Sequence, residues 1–160
     1  RRSAMADAAL RELGCAPLLQ RAGKVQDRRI AFYCRMWALQ KGLRVVGHGP
    51  GQGAVSHAGL DQLRASLDAD RPHAGIISPA ADRDHFEKFA LEFGGIAASA
   101  EQQKKEKQVV GELYESASIF LDACHVHGTL SPAVAGKLAI VAEKCGEYGR
   151  PLGSQQATGP

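Results

Sequence analysis

Apolar residues recur along this chain with the period of an α-helix almost everywhere. Residues 30–43 carry apolar side chains on two sides of such a helix. Val45-Val46 and Ile76-Ile77 have the composition of β-strands, but both pairs are too short to build a sheet. The pattern therefore predicts an all-α protein with about six to seven helices, placed at about 3–13, 17–26, 30–43, 56–71, 79–97, 103–127 and 132–148.

Capping residues mark several helix boundaries. Ser78-Pro79 and Ser131-Pro132 each combine a serine N-cap with proline at the first helical position. Gly128 stands where a glycine cap closes a helix. These boundaries predict two antiparallel three-helix bundles packed in tandem, with a first module at 1–71, a second module at 78–150 and the start of a linker at 151–160.

Two glycine-rich segments interrupt the helical pattern. Residues 47–53 contain a G-x-G-x-x-A spacing together with Ala54, which resembles the spacing of nucleotide-binding loops. Pro50 removes one amide donor and no βαβ unit surrounds the segment, so a flexible connection between helices is the better interpretation. Gly94-Gly95 predicts a kink or a break in the helix that begins at Pro79.

No arrangement of residues indicates catalysis. Cys124 and His127 lie three positions apart at a helix end and could share a metal ion, with Cys145 and His85 as further ligands. Buried thiols and a capping histidine explain the same residues more simply, and the four cysteines include no C-x-x-C pair. The prediction is a protein that is not an enzyme, without metal or cofactor, whose thiols suit the reducing cytoplasm.

Composition and charge narrow the class of protein further. The chain has 160 residues, of which 44% are hydrophobic, and no stretch predicts a membrane span. Residues 1–80 hold 12 Lys+Arg against 6 Asp+Glu, whereas residues 81–160 hold 8 against 11. A net charge of +3 without a basic stripe does not favour nucleic acid. The basic first half could attract an acidic peptide, although a solvated mixed surface is the simpler interpretation.

Helical bundles without catalytic groups typically bind other proteins. A groove between two antiparallel helices can accept a third, amphipathic helix that is anchored by leucines. Leu60, Leu63 and Leu67 form the apolar stripe of the helix at 56–71, and Leu39 lies on the second apolar side of the helix at 30–43. We therefore expect these four leucines to line an open crease on the first module.

Four segments resemble a known family in the same order. They are RIAFYCRMWALQKGL (29–43), LDQLRASL (60–67), HFEKFALEF (85–93) and ASIFLDACHVHGTL (117–130). Together they resemble the N-terminal domain of the Vta family, the LYST-interacting-protein group of the ESCRT machinery, over roughly residues 16–150. The resemblance implies two tandem MIT modules (microtubule interacting and trafficking). Plant callose synthases carry a similar N-terminal module, and this module or a generic helical scaffold is the alternative.

The resemblance also implies partners, a location and a set of site residues. The modules would bind C-terminal helices of ESCRT-III subunits, the charged multivesicular body proteins, in a cytoplasmic, endosome-associated adaptor. A C-terminal domain outside these 160 residues would act on the vacuolar protein sorting AAA ATPase. Leu60 stands at an apolar anchor of the family's third helix, and Val141 lies near the family's tryptophan on the last helix. The candidate partner-binding residues are Leu39, Leu60, Leu63, Arg64, Leu67 and Val141.

Overall fold

The computed structural model describes residues 16–48 and 53–151, and in these residues it contains six α-helices, two short 3₁₀ helices and no strand. The α-helices are α1 (Ala16–Lys24), α2 (Arg28–His48), α3 (Gly53–Asp70), α4 (Pro79–Gln102), α5 (Lys107–Ala123) and α6 (Pro132–Glu147). The 3₁₀ helices are Arg71–His73 and Cys124–His127. The all-α fold class is thus confirmed, while the predicted helix at 3–13 and most of the linker at 151–160 lie outside the described residues.

The chain divides into two compact units between Ile76 and Ile77. The first unit contains α1, α2 and α3, and the second contains α4, α5 and α6. The first core is built from Leu18, Ala22, Ile30, Phe32, Cys34, Trp37, Ala38, Leu60, Leu63 and Leu67. The second core is built from Phe86, Ala90, Ala97, Val110, Tyr114, Ala117, Phe120, Leu121, Cys124, Val134, Val141 and Cys145. None of the described helices is both long and apolar enough to cross a bilayer.

Two helix starts follow the serine–proline signal in the sequence. The Ser78 side chain accepts a hydrogen bond from the backbone N–H of Ala81 at 3.1 Å, and α4 begins with proline. The Ser131 side chain accepts one from Val134 at 3.3 Å, and α6 begins in the same way. Both starts are confirmed because each serine satisfies an amide that has no partner inside its own helix.

The glycine pair in α4 does not break the helix. α4 continues through Gly94 and Gly95 to Gln102, so the predicted break is wrong. Gly94 is buried, and a Cβ atom at this position would lie 3.3 Å from the side-chain carbons of Lys137 on α6. The missing side chain at Gly94 therefore leaves room for the Lys137 side chain to pack on α4.

The long helix predicted at 103–127 is divided differently in the structure. α4 extends to Gln102, a turn follows, and α5 begins at Lys107. Lys104 closes the turn in a left-handed conformation, with φ at 56°, and the N–H of Lys105 donates to the carbonyl of Ala100 at 3.1 Å. The sequence gives no signal for this turn because lysine occupies a position where glycine is the usual residue.

Helix α2 is longer than the pattern predicts. It runs to His48, so it includes the strand-like pair Val45-Val46 and enters the predicted loop at 47–53. At its start, the Asp27 carboxylate accepts hydrogen bonds from the backbone N–H groups of Arg29 and Ile30 at 3.0 and 3.2 Å. α3 in turn begins at Gly53, so the predicted start near residue 56 is also late.

Candidate functional site

The leucine stripe of α3 faces the core of the first unit. Leu60 and Leu63 are each 2% exposed, and Leu67 is 3% exposed. The expectation that these three side chains line an open crease is therefore wrong. Leucines at this spacing mark the apolar face of a helix, and α3 uses that face to build its own unit.

The other predicted site residues divide between the surface and the core. Leu39 on α2 is half-buried and Arg64 on α3 is exposed, so both can reach a partner. Val141 on α6 is 1% exposed and belongs to the core of the second unit. A partner could contact the Val141 side chain only if that unit opened, so the expectation of a surface anchor at Val141 is also wrong.

A groove of about 710 Å³ opens on the first unit where α1, α2 and α3 meet. Its lining residues are Leu19 from α1, Arg35 from α2, and Gln62, Leu63, Ala65, Ser66 and Asp70 from α3. Leu63 is the member of the predicted set that reaches this groove. The sequence pattern missed the others because most are polar or small, and a search for apolar stripes passes over such residues.

The groove combines apolar and polar lining residues. The apolar part consists of Leu19, Leu63 and Ala65, and the polar part consists of Arg35, Gln62, Ser66 and Asp70. Within residues 16–48 and 53–151, none of these four polar side chains makes a hydrogen bond or an ion pair. Their hydrogen-bonding capacity is thus available to a ligand, as at the polar edge of a protein–protein interface.

In the second unit, one carboxylate connects all three helices. Glu101 on α4 accepts hydrogen bonds from the hydroxyls of Tyr114 on α5 and Tyr148 after α6, both at 2.8 Å, and from the Lys144 ammonium at 3.1 Å. These four residues form what we call the Glu101 cluster. The tyrosine hydrogen bonds lower the pKa of Glu101, while burial and the Glu101 carboxylate raise the pKa of Tyr114. The cluster links the three helices, and its carboxylate is occupied by these contacts.

Arg83 fixes the segment that follows α5. Its guanidinium donates to the backbone carbonyls of His127 and Thr129 and pairs with Glu87 at 3.0 Å. The His127 ring lies 5.4 Å from the ring of Phe86, measured between centroids. Burial and the nearby charge of Arg83 lower the pKa of His127, so the imidazole is neutral at pH 7.

The Cys124 and His127 pair does not have the surroundings of a metal site. Cys124 is 1% exposed, and its thiol donates to the carbonyl of Phe120 at 3.6 Å. Burial raises the pKa of Cys124 to about 12, as expected for a thiol packed in a helical core. Among the residues that the structure describes, no group of three or more His, Cys, Asp or Glu side chains is placed to hold a metal ion.

The fold defines a class of protein, an all-helical chain, and its first unit carries a groove between its three helices. A family model described as "Vta1 like" matches residues 15–145, and the chain therefore belongs to the Vta1-like family. The Arabidopsis thaliana protein named Homolog of mammalian LYST-interacting protein 5 is 27% identical over 136 residues. The match covers 82% of this chain and 31% of that relative, so the chain spans less than a third of the relative's length.

Proposed function

We propose that this chain is the ESCRT-III-binding part of an adaptor that acts in multivesicular body sorting. Membership of the Vta1-like family supports an adaptor rather than an enzyme, and the relative is named as a homologue of LYST-interacting protein 5. In this proposal the two units are tandem MIT modules that bind C-terminal helices of charged multivesicular body proteins. The adaptor regulates the vacuolar protein sorting AAA ATPase at endosomes, from the cytoplasm, through a separate domain.

The groove on the first unit is the observation that carries this proposal. Recognition of a helix in a groove requires apolar surface for the anchoring side chains and polar groups that fix their orientation. Leu19 and Ala65 supply the first, and four polar side chains without partners in the described chain supply the second. An α-helix is about 10 Å wide with its side chains, so a cavity of about 710 Å³ takes two or three turns of one helix face.

The proposed contact surface differs from the leucine stripe. Leu60, Leu63 and Leu67 stay in the core, and the apolar anchors of the partner meet Leu19 and Ala65 instead, with the buried Leu63 beneath them. Leu39 lies one helical turn after Arg35 on α2 and is half-buried, so a longer partner helix reaches it. Arg64 is exposed and is not among the residues that line the groove, so it has no contact in this proposal.

A titration of the ¹⁵N-labelled chain with a synthetic C-terminal helix of an ESCRT-III subunit tests the proposal. We expect chemical-shift changes at Leu19, Arg35 and the groove residues of α3. Ser66→Trp places a large ring in the groove and should weaken binding by about tenfold or more, which corresponds to about 1.4 kcal/mol. His57→Trp is the matched control, because His57 is exposed on α3 and does not line the groove.

Two results would contradict the proposal at different levels. Equal weakening by both tryptophan variants, or shift changes confined to other surfaces, would remove the groove as the binding site. If none of the ESCRT-III C-terminal helices bound the unmodified chain, the function itself would be wrong. Circular dichroism of each variant establishes that its helices are intact, since serine, histidine and tryptophan have similar helix propensities.

A further inference from the structure

Arg35 differs from the other half-buried arginines of the described chain. Arg83 pairs with Glu87, and Arg150 pairs with Glu115 at 2.9 Å. Arg21 and Arg29 also take part in hydrogen bonds or electrostatic interactions. Within the two described ranges, 16–48 and 53–151, the Arg35 side chain has no hydrogen bond, ion pair or ring contact. It is nevertheless half-buried and lines the groove of the first unit.

A cation that lines a groove and has no partner in the described chain is a physical reason to expect an anion. Arginine presents five N–H donors in a planar arrangement, and a carboxylate can accept two of them at once. The residue is half-buried but its guanidinium nitrogens keep contact with solvent, so a carboxylate that enters the groove can replace water as their acceptor. The groove contains one carboxylate of its own, Asp70, and that side chain is exposed and makes no ion pair with any described residue.

The net positive charge of the first unit also favours a negatively charged partner. Residues 16–76 contain nine Lys+Arg and four Asp+Glu side chains, so the unit attracts negatively charged partners over long range. Long-range attraction raises the rate of association, but it does not select one register of a bound helix. A cation that lines the groove beside Leu63 and Leu19 can select a register, because it requires an acidic side chain at one distance from an apolar one.

We propose that Arg35 is the specificity-determining residue of this groove. It selects an amphipathic partner helix that carries a glutamate or aspartate at a fixed distance from the apolar side chain that packs on Leu19. This inference rests on the proposed function, since it assumes that a partner helix occupies the groove. The carboxylate of that helix accepts hydrogen bonds from the guanidinium of Arg35 and so fixes the register.

The test uses the unmodified chain, Arg35→Gln and the matched control Arg28→Gln. Arg28 lies on the same helix and is exposed, and it is not among the groove residues. The probes are the ESCRT-III C-terminal helix peptide that binds the unmodified chain and versions in which each acidic residue is changed singly to its amide. We expect Arg35→Gln to weaken binding by about fivefold to tenfold and Arg28→Gln by less than about twofold, as for a partly buried and an exposed charge.

The decisive result is the coupling between the two changes. One amide substitution in the peptide should weaken binding to the unmodified chain and leave binding to Arg35→Gln unchanged. If Arg35→Gln bound as well as the unmodified chain, or if no acidic position in the peptide were coupled to it, the inference would be overturned while helix binding in the groove still stood. If the unmodified chain bound none of the peptides, the proposed function and this inference would both fail.

Discussion

In the second unit, charged and polar side chains are tied into the bundle, whereas four polar side chains around the groove of the first unit have no partner in the described chain. Glu101 joins α4, α5 and α6 through Tyr114, Tyr148 and Lys144. Around the groove, Arg35 has no such contact in the described chain. Because a group already bonded within the protein has little left to offer a ligand, the side chains bonded only to solvent are the better indicator of a binding surface.

The comparison separates residues that build the core of a unit from residues that are free to contact a partner. Leu60 and Leu63 are apolar residues on one stripe of α3, but both are core residues. Arg35 lies between buried Cys34 and half-buried Met36, and no stripe singles it out. A binding surface consists of side chains that remain accessible after the unit has packed its core. These side chains can be identified only from the packed helices.

The largest expected effect comes from placing a charge inside the first unit. Leu60→Asp removes a core side chain that is 2% exposed and puts a carboxylate in its place. Loss of the buried leucine alone costs about 2–5 kcal/mol, and the buried charge adds to this. We expect the first unit to unfold, as seen by the loss of its dispersed amide signals and of part of the helical circular dichroism.

Arg64→Asp is the control for that experiment. It introduces the same side chain one turn later on α3, at an exposed position. Its effect on the free energy of unfolding should stay within about 0.5 kcal/mol. A folded Leu60→Asp variant with reduced peptide binding would mean that Leu60 contacts the partner. Leu60 would then belong to an open crease and not to the core of the first unit.

The next effect concerns the Glu101 cluster. Glu101→Gln keeps the size of the side chain but removes the charge that accepts hydrogen bonds from two tyrosines and a lysine. The expected loss is about 0.5–1 kcal/mol in the free energy of unfolding, measured by urea denaturation, because the cluster is partly exposed to solvent. Glu92→Gln on the same helix, at an exposed position, should have almost no effect. Equal stability of both variants would show that the cluster does not hold the second unit together.

The sequence predicted the helical class and the capped starts of α4 and α6, because these depend on local chemistry. Ser78 and Ser131 cap their helices whatever the tertiary structure is. The turn at Lys104 and the continuity of α4 through Gly94 were not predictable in this way. The first uses a lysine in a glycine conformation, and at the second the absence of a side chain makes room for Lys137 of another helix.

The groove was the least predictable feature, for a related reason. Its lining comes from three helices, and the residues of α3 that reach it are one buried leucine and four small or polar residues. Periodicity identifies the face that a helix buries, and it was correct in giving Leu60, Leu63 and Leu67 one common face. It cannot show whether that face meets its own bundle or a partner.

The smallest expected effect is a pH dependence that belongs to the second unit. The pKa of His127 is lowered in the folded chain by burial and by Arg83, relative to the ordinary value of 6.5. The unfolded chain therefore binds more protons than the folded chain between these two pKa values. The contribution of neutral His127 to the free energy of unfolding is fully present above pH 6.5. It decreases as the pH falls below 6.5 and stops changing below the pKa of His127 in the folded chain.

Urea midpoints of the unmodified chain at pH 7.5, 6.5 and 5.5 should fall in that order, and His127→Gln should flatten the trend. His73→Gln, at an exposed position in the first unit, should leave it unchanged. Glu101 does not interfere, because its pKa is lowered below the ordinary value of 4.5 and its contribution is lost only at more acidic pH. An unchanged slope in His127→Gln would mean that another group, and not the histidine beside Phe86 and Arg83, sets the acid sensitivity of this unit.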